Sequence, residues 1–181
     1  MAWTSPKTWS ASEDLTASEM NTYMRDNQNE TAPGIATAAS RMIVTDGANS
    51  IAERIPTRDY VGTSQTTSSS TFTDLTTTGP AVTVTTGTLA LVIVQCVLSS
   101  DTAGAISDMG FAVSGASTVA ASSTYALRYE SSVANDILQA SAVFLVTGLT
   151  AGSNTFTAKY RAFSGAGTST YAERFLTVLP F

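Results

Sequence analysis

Apolar and polar positions alternate with a period of two over much of this chain, most clearly between Gln139 and Phe163. Phe156, Ala158, Tyr160 and Ala162 alternate there with Thr155, Thr157, Lys159 and Arg161, which places an apolar row on one face of a strand and a polar row on the other. The preceding run, Ala142 to Val146, is apolar at both parities and is expected to be covered on both faces. Thr150 to Asn154 supplies a small turn, so the two runs are expected to form a hairpin. Further strands are expected at Val82 and Val84 among threonines, Leu89–Leu98, Met109–Val113, Thr124–Glu130 and Ala172–Leu179. In Thr124–Glu130, Tyr125, Leu127 and Tyr129 share one face, opposite Arg128 and Glu130. The tract from Ser64 to Thr78 is dominated by Ser and Thr and reads as a linker or a polar edge strand, with Phe72 and Leu75 favouring order. Short, evenly spaced strands without a helical run predict an antiparallel β-sandwich, jelly-roll or immunoglobulin-like. The missing core tryptophan and the missing cysteine pair favour the jelly roll.

The first third reads differently. Thr16-Ala17-Ser18-Glu19 is a capping box, with Leu15 and Met20 placed as a hydrophobic staple. Met20, Tyr23 and Met24 follow at helical spacing on one face, predicting a helix over about 17–30 that stops before Pro33-Gly34. A single helix of this length is marginal in water, so its apolar stripe must pack on something. Trp3 and Trp9 lie in an extended arm around Pro6, and either fold back on this helix or dock on another subunit. A small hairpin is expected over about 42–55, with Asp46 to Asn49 as its link and Pro56 closing it. The domains are therefore 1–60, an anchoring arm, and 61–181, a β-sandwich knob.

Trp9 followed by Leu15-Thr16-Ala17-Ser18-Glu19-Met20-Asn21-Thr22-Tyr23-Met24-Arg25-Asp26-Asn27 resembles the N-terminal segment of many tailed-bacteriophage virion proteins. The stretch from Val44 to Pro56 is similar to a hairpin that often follows that segment, except that Ala38-Ala39-Ser40 stands where the family has a Gly-Asp-Leu strand. The run from Gly148 to Arg161 is similar to hairpins in phage fibre and knob jelly rolls, and also to one region of fibronectin-like modules. The resemblance implies a virion structural protein, of the capsid-decoration, head-fibre or tail-fibre kind, assembled in a bacterial cytoplasm. It implies phage capsid or tail proteins as partners.

Composition narrows the chemistry. The 181 residues carry a net charge of −5 and no basic cluster, which argues against nucleic acid as a partner. No run is long enough for a membrane span, and the residues after Met1 lack the apolar stretch of a secretory leader. Asn29-Glu30-Thr31 matches a glycosylation sequon, read as chance without secretion. Histidine is absent, removing the commonest general base and zinc ligand, and no cofactor fingerprint occurs. Cys96, inside an apolar run, is expected to be an inert core thiol. Asp74, Asp101, Asp108, Glu130, Asp136 and Glu173 are candidates for paired catalytic acids, but most fall in apparent loops where a solvated turn is the default. Lys159 is on an exposed strand face, so a serine–lysine hydrolase is disfavoured. Hard oxygen ligands at Asp101 and Asp108 would suit calcium, though their spacing matches no recognised site, and Tyr125, Tyr129, Tyr160 and Tyr171 could stack on a sugar, though core packing is the default for those on apolar faces.

The expectation is a non-enzymatic virion protein without metal or cofactor. It docks through Trp3, Trp9, Leu15, Met20, Tyr23 and Met24 and projects the knob. The alternative is a carbohydrate-binding adhesin contacting a host-surface glycan. The Leu89–Leu98 run is apolar on both faces apart from Gln95, so one face is assigned to the sandwich core and the other to a neighbouring subunit. Leu91, Val92, Ile93 and Val94 mark that interface, in an oligomer expected to be a trimer.

Overall fold

The computed structural model describes residues 4–164 and 167–181, without the side chains of residues 32, 33 and 164. The expected anchor Trp3 lies outside the described residues. The chain divides into two compact units at Ile55 and Pro56. The larger unit begins before the expected residue 61 because Thr57–Val61 is a strand of its sheet.

The smaller unit starts as an arm whose Thr4 amide donates to Asn27 Oδ1 while Asn27 Nδ2 donates to the Thr4 carbonyl, 2.9 and 2.8 Å. The capping box forms as expected. Thr16 Oγ1 accepts from the Glu19 amide and the Glu19 carboxylate accepts from the Thr16 amide, 3.2 and 3.1 Å. Helix α1 (Ala17–Met20) runs through a π-helical stretch, Asn21–Arg25, into α2 (Asp26–Asn29). A further turn, α3 (Ala32–Ile35), extends past the expected stop at Pro33. Strands β1 (Met42–Gly47) and β2 (Ser50–Arg54) pair as the expected hairpin. Its turn sits at Ala48–Asn49 rather than starting at Asp46, since Gly47 pairs with Ser50 and Asn49 takes φ +56°.

The larger unit contains β3 (Thr57–Val61), β4 (Gln65–Thr67), β5 (Ala81–Thr86), β6 (Leu89–Ser100), β7 (Ile106–Gly115), β8 (Ala126–Glu130), β9 (Ile137–Thr147), β10 (Gly152–Ser164) and β11 (Ser169–Pro180). One sheet has the order β3-β11-β6-β9, with β4 also on β11; the other has the order β5-β10-β7-β8. Leaving β4 aside, the antiparallel pairs are nested: β3 with β11, β5 with β10, β6 with β9 and β7 with β8. First pairs with last and second with second-last, so the chain is one long folded ribbon wrapped into two facing sheets. That is a jelly roll, and the expected antiparallel sandwich stands.

Period-two patterning fills the space between the sheets. Val82, Val84, Val92, Val94, Leu98, Met109, Phe111, Phe156, Tyr160, Tyr171, Leu176 and Val178 are buried there. Phe111 meets Phe156 at 6.0 Å and Phe144 at 6.2 Å between centroids, in tilted geometry. The two buried tyrosine hydroxyls have partners: Tyr160 donates to the Gly79 carbonyl at 2.7 Å and Tyr171 to the Arg161 carbonyl at 2.6 Å. The Ser/Thr tract is ordered. β4 pairs with β11, Thr73 exchanges backbone hydrogen bonds with Tyr160, and Leu75 enters the core.

Two expectations fail in this unit. Gln139 to Phe163 is not a hairpin, because β9 pairs with β6 in one sheet while β10 pairs with β5 and β7 in the other. The link crosses from sheet to sheet, with Gly148 and Gly152 at φ +73° and +142°, a region open to glycine. Nor is Ala142–Val146 covered on both faces. Ala142, Phe144 and Val146 face the core, but Val143 and Leu145 are 57% and 54% exposed. β9 therefore turns one apolar row to the core and leaves the other exposed.

Candidate functional site

Three surfaces carry the residues singled out in the sequence. The first is on the smaller unit. Trp9 packs edge-on against Tyr23, 6.3 Å between centroids, and Lys7 Nζ sits 4.6 Å from the Trp9 ring centroid. Lys7 also bonds the carboxylates of Glu13 and Glu19. These contacts fold the arm back along the helix, yet Trp9, Leu15, Met20 and Met24 remain 40%, 53%, 40% and 49% exposed. Asn27 is the only buried residue of this unit among those described. The Lys7 and Thr16 hydrogen bonds hold the Glu19 carboxyl down at about 2, below its ordinary 4.5.

The second surface is the outer face of the β3-β11-β6-β9 sheet. Alternation in β6 splits the four expected interface residues. Val92 and Val94 are fully buried against the opposite sheet, whereas Leu91 and Ile93 point outward and are half-buried. Val92 and Val94 are therefore core residues of the single chain, since neighbours along a strand cannot share a face. Strand register builds outer rows of Leu179, Leu91 and Leu145, then Thr177, Ile93 and Val143, then Phe175, Gln95 and Ser141. Tyr60 pairs with Phe175 and stacks on its ring at 4.4 Å, extending the last row. The result is an apolar strip across the sheet with no layer of its own unit above it.

The third surface is the outer face of the other sheet, where β10 presents Lys159, Arg161 and Phe163. Asp108 on β7 is fully buried, although the sequence placed it in loop material. It accepts from Arg128 Nε and Nη2 at 2.8 and 2.9 Å and from Arg161 Nε at 2.8 Å. The Arg161 guanidinium also lies 4.4 Å from the Phe72 ring centroid and 4.1 Å from that of Phe163, and donates to Ser123 Oγ at 2.8 Å. Lys159 Nζ donates to both oxygens of Asp74 at 2.8 Å. Beside these groups runs an open groove of about 560 Å³, floored by Ala112, Lys159 and Arg161 and walled by residues 70–74 and 120–121. Phe72 leans over Gly110, where a Cβ would come within 3.1 Å of the ring and of the Tyr125 carbonyl.

Other candidates are dispersed. Asp101 is exposed and accepts from the Thr168 amide and from Thr102 Oγ1, while Asp108 is neutralised by two arginines, so the pair does not form a cation site. No group of three His, Cys, Asp or Glu that could hold a metal occurs among the described residues. Tyr160 and Tyr171 are core residues, and Tyr125 and Tyr129 pack against the core, so the four do not form a stacking surface. Asp136 accepts from Tyr129 and Glu173 from Tyr60. Glu130 is exposed on β8. Burial pushes the Cys96 thiol up to about 12.

No protein-family profile and no curated protein matches this chain. Among solved structures, it is similar to Eiger TNF from S. frugiperda at 12% identity and TM-score 0.45, over 70% of this chain and 92% of that one. It is similar to infectious bursal disease virus, Gx strain, at 13% identity and TM-score 0.41, over 75% of this chain and 35% of that one. A third likeness is to isomalto-dextranase of Arthrobacter globiformis T6, at 15% identity and TM-score 0.37, over 77% and 21%. These likenesses lie in the layout of strands, and the jelly-roll assignment rests on the strand order given above.

Proposed function

We propose that this chain is a non-enzymatic structural component of a tailed-phage virion. Residues 1–55 dock it to a capsid or tail protein, and residues 56–180 form a jelly-roll knob on the particle surface, assembled as a homotrimer. The observation that carries the reading is the exposure of Trp9, Leu15, Met20 and Met24 in a unit whose only buried described residue is polar Asn27. Apolar side chains held in place by a capped helix, but without a core beneath them, gain about 25 cal/mol for each Å² that a partner covers. The phage-like motif from Leu15 to Asn27 supplies the class of partner.

The outer strip around Leu91, Ile93, Val143 and Leu145 supports self-association. A contiguous apolar surface of this kind is uncommon on a soluble monomer, and closed symmetry covers the same strip on every copy. The test of docking is a double substitution, Trp9→Ser with Met24→Ser, introduced into the gene in its own genome. The altered chain should melt as the unaltered one does but be missing from purified particles. Normal incorporation would overturn the docking role of this unit.

A further inference from the structure

The groove on the β5-β10-β7-β8 sheet lies neither on the smaller unit nor on the outer face of the β3-β11-β6-β9 sheet. Its residues come from four separate stretches of the chain, Ala112 of β7 among them, brought together by strand register. β10 gives Lys159 and Arg161, paired along β7 with Gly110 and Asp108. The segment before β5 gives Phe72 and Asp74, held at the β10 edge by the paired backbone bonds of Thr73 and Tyr160 at 2.9 Å. The segment after β7 gives Ala120 and Ala121, held by the reciprocal bonds of Val113 and Val119 at 2.8 and 3.0 Å. Both walls are thus fixed to the sheet by backbone pairing.

We propose that this groove is a binding site for a neutral oligosaccharide. Its volume of about 560 Å³ falls in the range of small-ligand sites, roughly 300–1,000 Å³. Each sugar hydroxyl both donates and accepts, and the Asp74–Lys159 pair offers a carboxylate acceptor beside an ammonium donor on one wall and floor. Ser70, Thr71 and Thr73 line the same wall with hydroxyl groups. Phe72 and the methyl groups of Ala112 and Ala120 give apolar surface for the C–H faces of the rings.

The Asp74 carboxylate on the groove wall selects against an anion. Lys159 is paired with Asp74, and Arg161 shares the Asp108 carboxylate with Arg128. An acidic sugar would have to displace Asp74 or meet it at close range. The floor is also rigid before binding, because Arg161 is held by Asp108, by Ser123 and by the rings of Phe72 and Phe163. Donors already fixed in place lose less freedom when a ligand arrives.

The experiment uses the full chain on an array of neutral gluco-, galacto- and manno-configured oligosaccharides, with carboxylated and sulfated oligosaccharides alongside. The tightest neutral probe is then titrated calorimetrically against the unaltered chain, Asp74→Ala, Lys159→Gln and Phe72→Ala. Neutral probes should bind, and Asp74→Ala and Lys159→Gln should each raise Kd at least tenfold with an unchanged melting curve. Phe72→Ala should do the same if it folds; Asp74→Ala and Lys159→Gln decide the matter if it does not. The proposal is overturned if no neutral probe binds, if only acidic probes bind, or if the Asp74 and Lys159 variants bind as tightly as the unaltered chain. None of those results touches the incorporation of the chain into particles, so the anchoring role stands or falls separately.

Discussion

Val92 and Ile93 are neighbours in β6 whose side chains meet opposite surroundings, and a carboxylate placed at each should have opposite consequences. Val92 is fully buried between the sheets, and its cross-strand partners are Phe144 and Val178. Replacing it with Asp forfeits about 1.5–3 kcal/mol of side-chain burial. It also places an ion between Phe144 and Val178 in an apolar setting, at a cost of several kcal/mol. Together these approach the whole stability of an ordinary domain, about 5–15 kcal/mol, so Val92→Asp should not fold. Ile93 faces outward between Thr177 and Val143 and is half-buried. Within one subunit, Ile93→Asp loses cross-strand contacts worth about 0.2–1 kcal/mol each, which the fold tolerates. Inside a closed trimer the same change puts three carboxylates into one apolar contact. Size-exclusion chromatography with light scattering, alongside near-ultraviolet circular dichroism, should find a trimer for the unaltered chain, a folded monomer for Ile93→Asp and no cooperative fold for Val92→Asp. A folded monomer in the unaltered protein would refute the assignment of the outer strip to self-association. So would an Ile93→Asp variant that stays trimeric.

Four further outcomes follow from the described contacts. Asp108→Asn leaves Arg128 and Arg161 without their shared carboxylate; breaking such a buried pair costs about 3–5 kcal/mol, and the partial exposure of Arg128 puts the expected loss toward the lower end in a denaturant titration. Glu19 is held near 2, below its ordinary 4.5, so its contribution to the cap is complete above pH 4.5 and is lost as pH falls toward 2; the protection of the amides in residues 17–29, relative to their intrinsic exchange rates at each pH, should fall over that window and stay level between pH 5 and 8. Thr16→Ala should weaken the same amides by about 0.5–2 kcal/mol at neutral pH. Cys96, buried and with its thiol at about 12, should ignore a soluble disulfide reagent at pH 8 and react only when the chain is unfolded.

The positions of β5 and β10 could be read from alternation alone, because a strand lying on one core repeats its burial every second residue, whereas β6 showed only as an unbroken apolar run. Alternation fixes parity but not partner, and so β9 and β10, neighbours in sequence, were assigned to each other. The nested pairing that sends them to different sheets depends on contacts between residues far apart in the chain, such as Leu91 with Leu145 and Phe156 with Val113. The capping box was legible because all its parts lie within four residues. Asp108 was not: nothing in Ser107-Asp108-Met109 distinguishes a turn aspartate from one buried beneath Arg128 and Arg161, which arrive from β8 and β10. The groove was half visible. Lys159 and Arg161 show as polar positions on β10, but Asp74 and Phe72 belong to a Ser/Thr tract that reads as a linker or a polar edge strand, with no partner named until its backbone is seen paired with Tyr160. Equal apolar character at both parities of β6 gave no reason to separate Leu91 and Ile93 from Val92 and Val94; the position of the opposite sheet does that.

In the proposed role, this chain is built into a virus particle. Quantitative mass spectrometry of density-purified particles from cells carrying the gene tests it most directly. The account predicts the intact chain in the particle band at a fixed ratio to the major capsid or tail protein, with a copy number divisible by three. A chain found only in the soluble fraction, and absent from the particles, would contradict it.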